Sequence, residues 1–128
     1  MKKIDLINKI NSLGLDDGEY CIISGGILVM YGIREETEDL DLYVTPKLFE
    51  KLKDRYDLKP RFDKFPDLYE LDSEVEVKVC DIDVEDVSLV DGYPVWSLEK
   101  QLEWKISNHR EKDKKDIELI KDYLSKNK

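Results

Sequence analysis

Residues 21–43 read CIISGGILVMYGIREETEDLDLY. An apolar run enters Ser24-Gly25-Gly26, a second apolar segment ends at Gly32, and Asp39 and Asp41 then alternate with Leu40 and Leu42. Tyr20 to Ile23 is short, apolar and β-prone, so it predicts a strand stopped by the glycine pair. Ile27, Leu28, Met30 and Tyr31 predict a short buried helix closed by Gly32. The period of two in Asp39 to Val44 predicts a second strand, with the aspartates on one face and Leu40, Leu42 and Val44 on the other. Two like charges at that spacing repel and each resists desolvation, so they add nothing to the stability of a half-buried strand. They ask for a cation. Oxygen-only ligation by Asp39 and Asp41 suits Mg²⁺, or Mn²⁺ in its place, completed by substrate phosphates. The competing reading is a solvated edge strand that carries charge against aggregation.

The glycine pair fits the same chemistry. Glycines between a strand and a helix start let the backbone approach a phosphate, whose charge the free amides favour, and Ser24 adds a hydroxyl. An ordinary strand-to-helix turn is the alternative. A neighbouring strand can offer further carboxylates to the same face. In Glu74 to Cys80, Val75, Val77 and Val79 face one way and Glu74 and Glu76 the other, and Glu76 is the more central. Asp81 and Asp83 are the fallback and need a kink or bulge to reach the same face.

Outward from this centre, Ile4, Leu6, Ile7, Ile10 and Leu13 recur at helical spacing and stop at Gly14. Thr45-Pro46 predicts an N-cap followed by a helix through about Arg55. Strands are expected at Leu58–Phe62, Leu68–Leu71 and Glu74–Cys80, the last two joined by a tight turn at Asp72-Ser73. Val84 to Trp96, turning at Asp91-Gly92, predicts a strand pair at the sheet margin. Ser97 caps a helix with Leu98, Leu102 and Ile106, and Ile117, Ile120 and Leu124 mark a last one. The expectation is a single α+β domain over residues 1–128, with a mixed sheet core at about 18–96, flanking helices and C-terminal helices at about 97–126.

With 41% apolar and 40% charged residues in periodic runs, the 128-residue chain is expected to fold rather than stay disordered. Its net charge of -9 disfavours a broad grip on a polyanion. It has no apolar run near the roughly 20 residues of a membrane span, so no membrane partner and a cytoplasmic location are expected. Cys21 and Cys80 lie in apolar strand-like runs without metal-type spacing and read as reduced core residues. His109 is the only histidine, which leaves no His-based metal cluster or Ser-His-Asp triad to assemble. Trp96, Trp104 and Tyr123 read as core, with base stacking the alternative.

Ser24-Gly25-Gly26, twelve intervening residues and Asp39-Leu40-Asp41-Leu42 together resemble the signature of the nucleotidyltransferase fold, the DNA polymerase β superfamily. With Gly32-x-Arg34, Thr37, Lys105 and Arg110-x-Lys112-Asp113-x-x-Asp116-Ile117, the pattern is similar to the AbiEii and MenT group of toxin-type nucleotidyltransferases and their small relatives. It spans about residues 20–44 and 97–120. Gly-Gly departs from the Gly-Ser form of the minimal nucleotidyltransferase antitoxins that modify a HEPN partner, and both subfamilies stay open. The resemblance implies a nucleotidyltransferase-like sheet in which Asp39, Asp41 and a third carboxylate, here Glu76, hold Mg²⁺ ions. It implies transfer of an NMP from an NTP to a hydroxyl of a small molecule, a protein or an RNA end, within a toxin–antitoxin pair that brings a partner protein. It also makes Ser24, Gly25, Gly26 and Arg34 nucleotide-binding, Lys105 and Lys112 triphosphate contacts, and Asp113 a site or orienting carboxylate. A salt-laced helix junction is the plainer reading of the late charges, and an inactive nucleotide-binding or protein-interaction module is the alternative for the whole chain.

Overall fold

One seven-stranded mixed sheet organises the computed structural model, which describes residues 1–127. Its strands are β1 (Tyr20–Ile23), β2 (Leu40–Val44), β3 (Lys59–Pro60), β4 (Leu68–Glu70), β5 (Val75–Val79), β6 (Val87–Val90) and β7 (Tyr93–Trp96). They lie in the order β3-β4-β5-β2-β1-β7-β6. β2 is antiparallel to β1 and parallel to β5, and β7 runs parallel to β1 through Ile22 opposite Val95. The helices are α1 (Lys3–Leu13), α2 (Gly25–Met30), α3 (Pro46–Arg55), α4 (Leu98–Asn108) and α5 (Lys114–Lys126). The fold is therefore α+β, with a helical C-terminal end.

Local chemistry sets the element ends. Gly14 takes the left-handed conformation, φ 64°, that ends α1. The Thr45 hydroxyl accepts from the Leu48 amide at 3.3 Å and Pro46 opens α3. Asp72 accepts from the Glu74 and Val75 amides at 2.8 and 3.0 Å, which tightens the β4–β5 turn. β3 is shorter than the sequence pattern predicts: the last bond to β4 runs from the Arg61 amide to the Leu68 carbonyl at 2.8 Å, and the chain then turns away.

Alternation then divides the sheet. Leu40, Leu42, Val44, Val75 and Val77 are fully buried on one face, where they pack with Ile22 and Val95 of the sheet, Leu6, Ile10 and Leu13 of α1, and Leu48 and Leu52 of α3. A second cluster, Ile27, Leu28, Leu98 and Ile120, ties α2 to the C-terminal helices. Burying each such aliphatic side chain contributes about 1.5–3 kcal/mol, so the central strands are held firmly. Two apolar expectations fail: Ile4 is exposed on the outer side of α1, and Ile106 points outward from α4. Trp96, Trp104, Tyr123 and Cys80 are only partly buried, whereas Cys21 is fully buried and both thiols are free.

Candidate functional site

The face of the central strands opposite the core carries the candidate chemistry. Asp41 on β2 lies directly opposite Glu76 on β5, and Glu76 in turn opposite Glu70 on β4. Period-two alternation and parallel register thus bring two of the three sequence-predicted ligands side by side, with Asp39 just before β2 on the same parity. Asp83 lies exposed beyond the end of β5, where it accepts from the Glu85 amide at 3.0 Å. Asp81 is exposed beyond the end of β5.

Burial pushes the Asp41 carboxyl up to about 6, and the charges of Glu76 and Asp39 add to the rise. The Lys64 charge and the nearby Ser24 hydroxyl oppose it. The carboxylates therefore feel one another. The Lys64 ammonium, from the loop between β3 and β4, stands 3.3 Å from Glu76 Oε1, while Glu76 Oε2 is buried without a hydrogen-bond partner. An unpartnered carboxylate oxygen out of water is costly. A divalent cation would satisfy it, so the Asp41–Glu76 pair fits an oxygen-ligated ion. Among the described residues, no group of three or more His, Cys, Asp or Glu side chains is arranged to hold a metal ion. An all-protein cage is not what Mg²⁺ requires, because it usually takes one or two carboxylates together with water and phosphate oxygens.

Ser24 joins β1 to α2 at φ 59° and ψ -140°, a region close to one that only glycine enters readily. Holding a serine there costs on the order of 1–3 kcal/mol. The glycines that follow have steric reasons. A Cβ on Gly25 would meet Thr37 Oγ1 at 2.5 Å and Arg34 Nη1 at 3.4 Å, and one on Gly26 would meet Ile22 Cγ2 at 2.7 Å. The pair thus allows α2 to sit against β1 and the Arg34–Thr37 segment to sit against α2. As the first residues of a helix, their amides have no intrahelical acceptor.

Arg34 also links the two distant motifs, with Nη1 3.6 Å from Asp116 Oδ2. Lys105 is 6% exposed and contacts Asp113 at 3.0 Å and Asp116 at 3.5 Å, and Arg110 Nε donates to Asp113 at 2.6 Å. Burial raises the Asp113 pKa, but the hydrogen bonds from Arg110 and Lys105 outweigh it and hold the carboxyl below its ordinary value. Lys105 and Asp113 are thus partners of each other, and a triphosphate contact from Lys105 requires an exchange of partners. Lys112 lies exposed on the 3-10 turn Glu111–Asp113. His109 is exposed and ends α4 in the left-handed conformation.

Three further neighbours escape sequence reading. Lys64 sits twelve residues before its Glu76 partner, in a loop whose course no periodicity reveals. Trp104 is stacked under Arg110, with the guanidinium carbon 4.6 Å from the ring centre, and faces Phe65 at 6.5 Å. Tyr43 meets Trp96 edge to face at 5.5 Å on the sheet face that carries Asp41. Two depressions, of about 470 and 370 Å³, lie along α1, and neither is lined by Asp39, Asp41 or Glu76. No helix among the described residues is long and apolar enough to cross a membrane. Compared with family models, curated proteins and solved structures, the chain finds no match.

Proposed function

We propose that the chain is a small Mg²⁺-dependent nucleotidyltransferase that moves an NMP from an NTP onto a hydroxyl acceptor, as one component of a toxin–antitoxin pair. The observation that carries this reading is the in-register pair Asp41 and Glu76, with Glu76 Oε2 buried and lacking a partner. Asp39, Asp41 and Glu76 would hold the ion. A bound divalent ion supplies charge neutralisation at the α-phosphate and an acidified acceptor hydroxyl. The acceptor hydroxyl gives up its proton to water, its oxygen forms a bond to the α-phosphorus, the bond from that phosphorus to the bridging oxygen breaks, and pyrophosphate leaves with its electron pair. The chain's task is then positioning. Ser24 and the first amides of α2 at Gly25 and Gly26 would receive phosphate oxygens. Arg34 and the exposed Lys112 would balance leaving-group charge, and Lys105 and Asp113 would hold Arg34's partner Asp116 and Arg110 in place.

Incubation with radiolabelled NTPs, Mg²⁺ or Mn²⁺ and a panel of hydroxyl acceptors tests the proposal. Transfer or pyrophosphate release is expected and should vanish in Asp41→Asn. Nucleotide that binds yet never turns over with any acceptor counts against it. A second reading, a non-catalytic nucleotide-binding or protein-interaction module, is favoured by the lack of a three-ligand group among the described residues. Equal Mn²⁺ binding by wild type and by Asp39→Asn/Asp41→Asn would select that module.

A further inference from the structure

We propose that the loop between β3 and β4, residues 61–67, is a strap whose Lys64 ammonium serves as a built-in counter-cation for Glu76 and gives way when a divalent ion arrives. The inference rests on the metal-site reading above and goes beyond it, because it assigns a competing, releasable contact to a segment that reading does not use.

The strap's ends are tied to the sheet, while its middle is held by an internal turn bond, from the Lys64 amide to the Arg61 carbonyl at 3.0 Å, and by side-chain contacts such as Phe62 edge to face with Tyr69 at 5.4 Å. The Arg61 amide donates to the Leu68 carbonyl at 2.8 Å, and the Val79 amide donates to the Asp67 carbonyl at 3.0 Å. Between these ties, Lys64 reaches Glu76, Phe65 faces Trp104, and the Lys78 ammonium lies 5.5 Å from the Phe65 ring centre. Phe62 and Phe65 are 56% and 40% exposed, so little apolar burial opposes their departure. The two ends of the ion pair differ sharply: the Lys64 side chain is 46% exposed, whereas that of Glu76 is 14% exposed. Water can therefore take over solvation of the ammonium when it leaves. The carboxylate cannot be left bare, because its other oxygen already has no partner. Such an asymmetric pair is suited to exchange of one cation for another.

Competition of this kind lowers metal affinity by the strength of the contact that is lost. A partly exposed ion pair contributes up to about 1 kcal/mol, which corresponds to roughly fivefold in affinity. The test is Mn²⁺ binding, measured by the loss of the free-ion paramagnetic resonance signal, on wild type, Lys64→Ala, Lys64→Arg, Lys121→Ala and Asp39→Asn/Asp41→Asn. Limited tryptic cleavage of wild type at Arg61 and Lys64 is followed with and without Mn²⁺. Lys64→Ala should bind Mn²⁺ about fivefold more tightly, Lys64→Arg should stay near wild type, and Lys121→Ala, which removes an exposed charge on α5, should change little. Mn²⁺ should also speed cleavage of the strap. Unchanged affinity in Lys64→Ala, an equal gain in Lys121→Ala, or a strap equally protected with and without Mn²⁺ overturns the inference while leaving the metal site standing. Wild-type affinity no better than that of the double Asn variant overturns both.

Discussion

Replacing Asp41 with asparagine should stabilise the metal-free protein at neutral and alkaline pH and lose that advantage in acid. Burial and the neighbouring Glu76 and Asp39 raise the folded-state pKa of Asp41 to about 6, against 3.8 for an ordinary aspartate. A raised carboxyl pKa means that the folded state holds its proton more tightly than the unfolded chain. Between about pH 4 and 6, therefore, each rise in pH removes stability, and above about pH 6 the full penalty stands. At about 1.36 kcal/mol per pH unit, that gap corresponds to about 3 kcal/mol. Asparagine carries no charge and escapes it, but its amide is still half-buried and fits the Ser24 contact less well, at a cost of about 1 kcal/mol. The net gain should be about 2 kcal/mol at pH 8, or about 8 °C in Tm at about 4 °C per kcal/mol for a domain of this size. At pH 4 the order should reverse, with the variant less stable by about 1 kcal/mol. Urea unfolding of both proteins at pH 8, 6 and 4, without divalent ions, measures this directly. A stability difference that stays constant across pH, or a destabilised variant at pH 8, would refute the reasoning. Saturating Mg²⁺ should erase the alkaline difference, because binding stabilises only the protein that keeps the carboxylate.

Two other perturbations address the scaffold around the site. Lys105→Ala removes the cation shared by Asp113 and Asp116, which keep Arg110 and Arg34, and should cost about 1–3 kcal/mol in urea unfolding; Lys105→Met, which also fills the space, should be no milder if the ion pair rather than packing is what matters. The depressed Asp113 pKa contributes stability above the ordinary aspartate range, which is lost as the pH falls through the folded value, so Asp113→Asn should flatten acid unfolding below about pH 4. Gly25→Ala places a methyl 2.5 Å from Thr37 Oγ1 and should lower stability by about 1–3 kcal/mol. Thr37→Ala in the same chain should restore part of that loss, and equal stability of the single and double variants would show that the Thr37 contact does not explain the glycine.

How far the fold could be read from sequence depended on whether the relevant signal was local. β1 follows from a short apolar β-prone run, β2 and β5 from apolar alternation, and α1, α3 and α4 from a left-handed Gly14, the Thr45 cap and the Ser97 cap. The juxtaposition of Asp41 and Glu76 was legible because parity fixes the face, and choosing the neighbouring strand by its polar parity was enough to pair them. Signals that need three-dimensional proximity were not legible. Lys64 meets Glu76 only because the loop after the short β3 folds back over the sheet. Lys105 carries the same charge whether it faces a phosphate or Asp113, and only its burial in the α4–α5 junction distinguishes them. Gly25 looks like a phosphate-binding glycine in sequence, whereas its nearest steric demand comes from Thr37, twelve residues on. Ile4 fits the helical period but falls on the outer edge of the apolar stripe, where α1 has no neighbour to bury it.

The proposed function requires that Asp39, Asp41 and Glu76 hold a divalent ion together with nucleotide. Its most direct test is a Mn²⁺ titration of wild type and of Asp39→Asn/Asp41→Asn, followed by the loss of the free-ion paramagnetic resonance signal, with and without a non-hydrolysable NTP analogue. Wild type should take up Mn²⁺ more tightly than the double variant, and more tightly again when the analogue is present. Equal and analogue-independent uptake by the two proteins would contradict the claim.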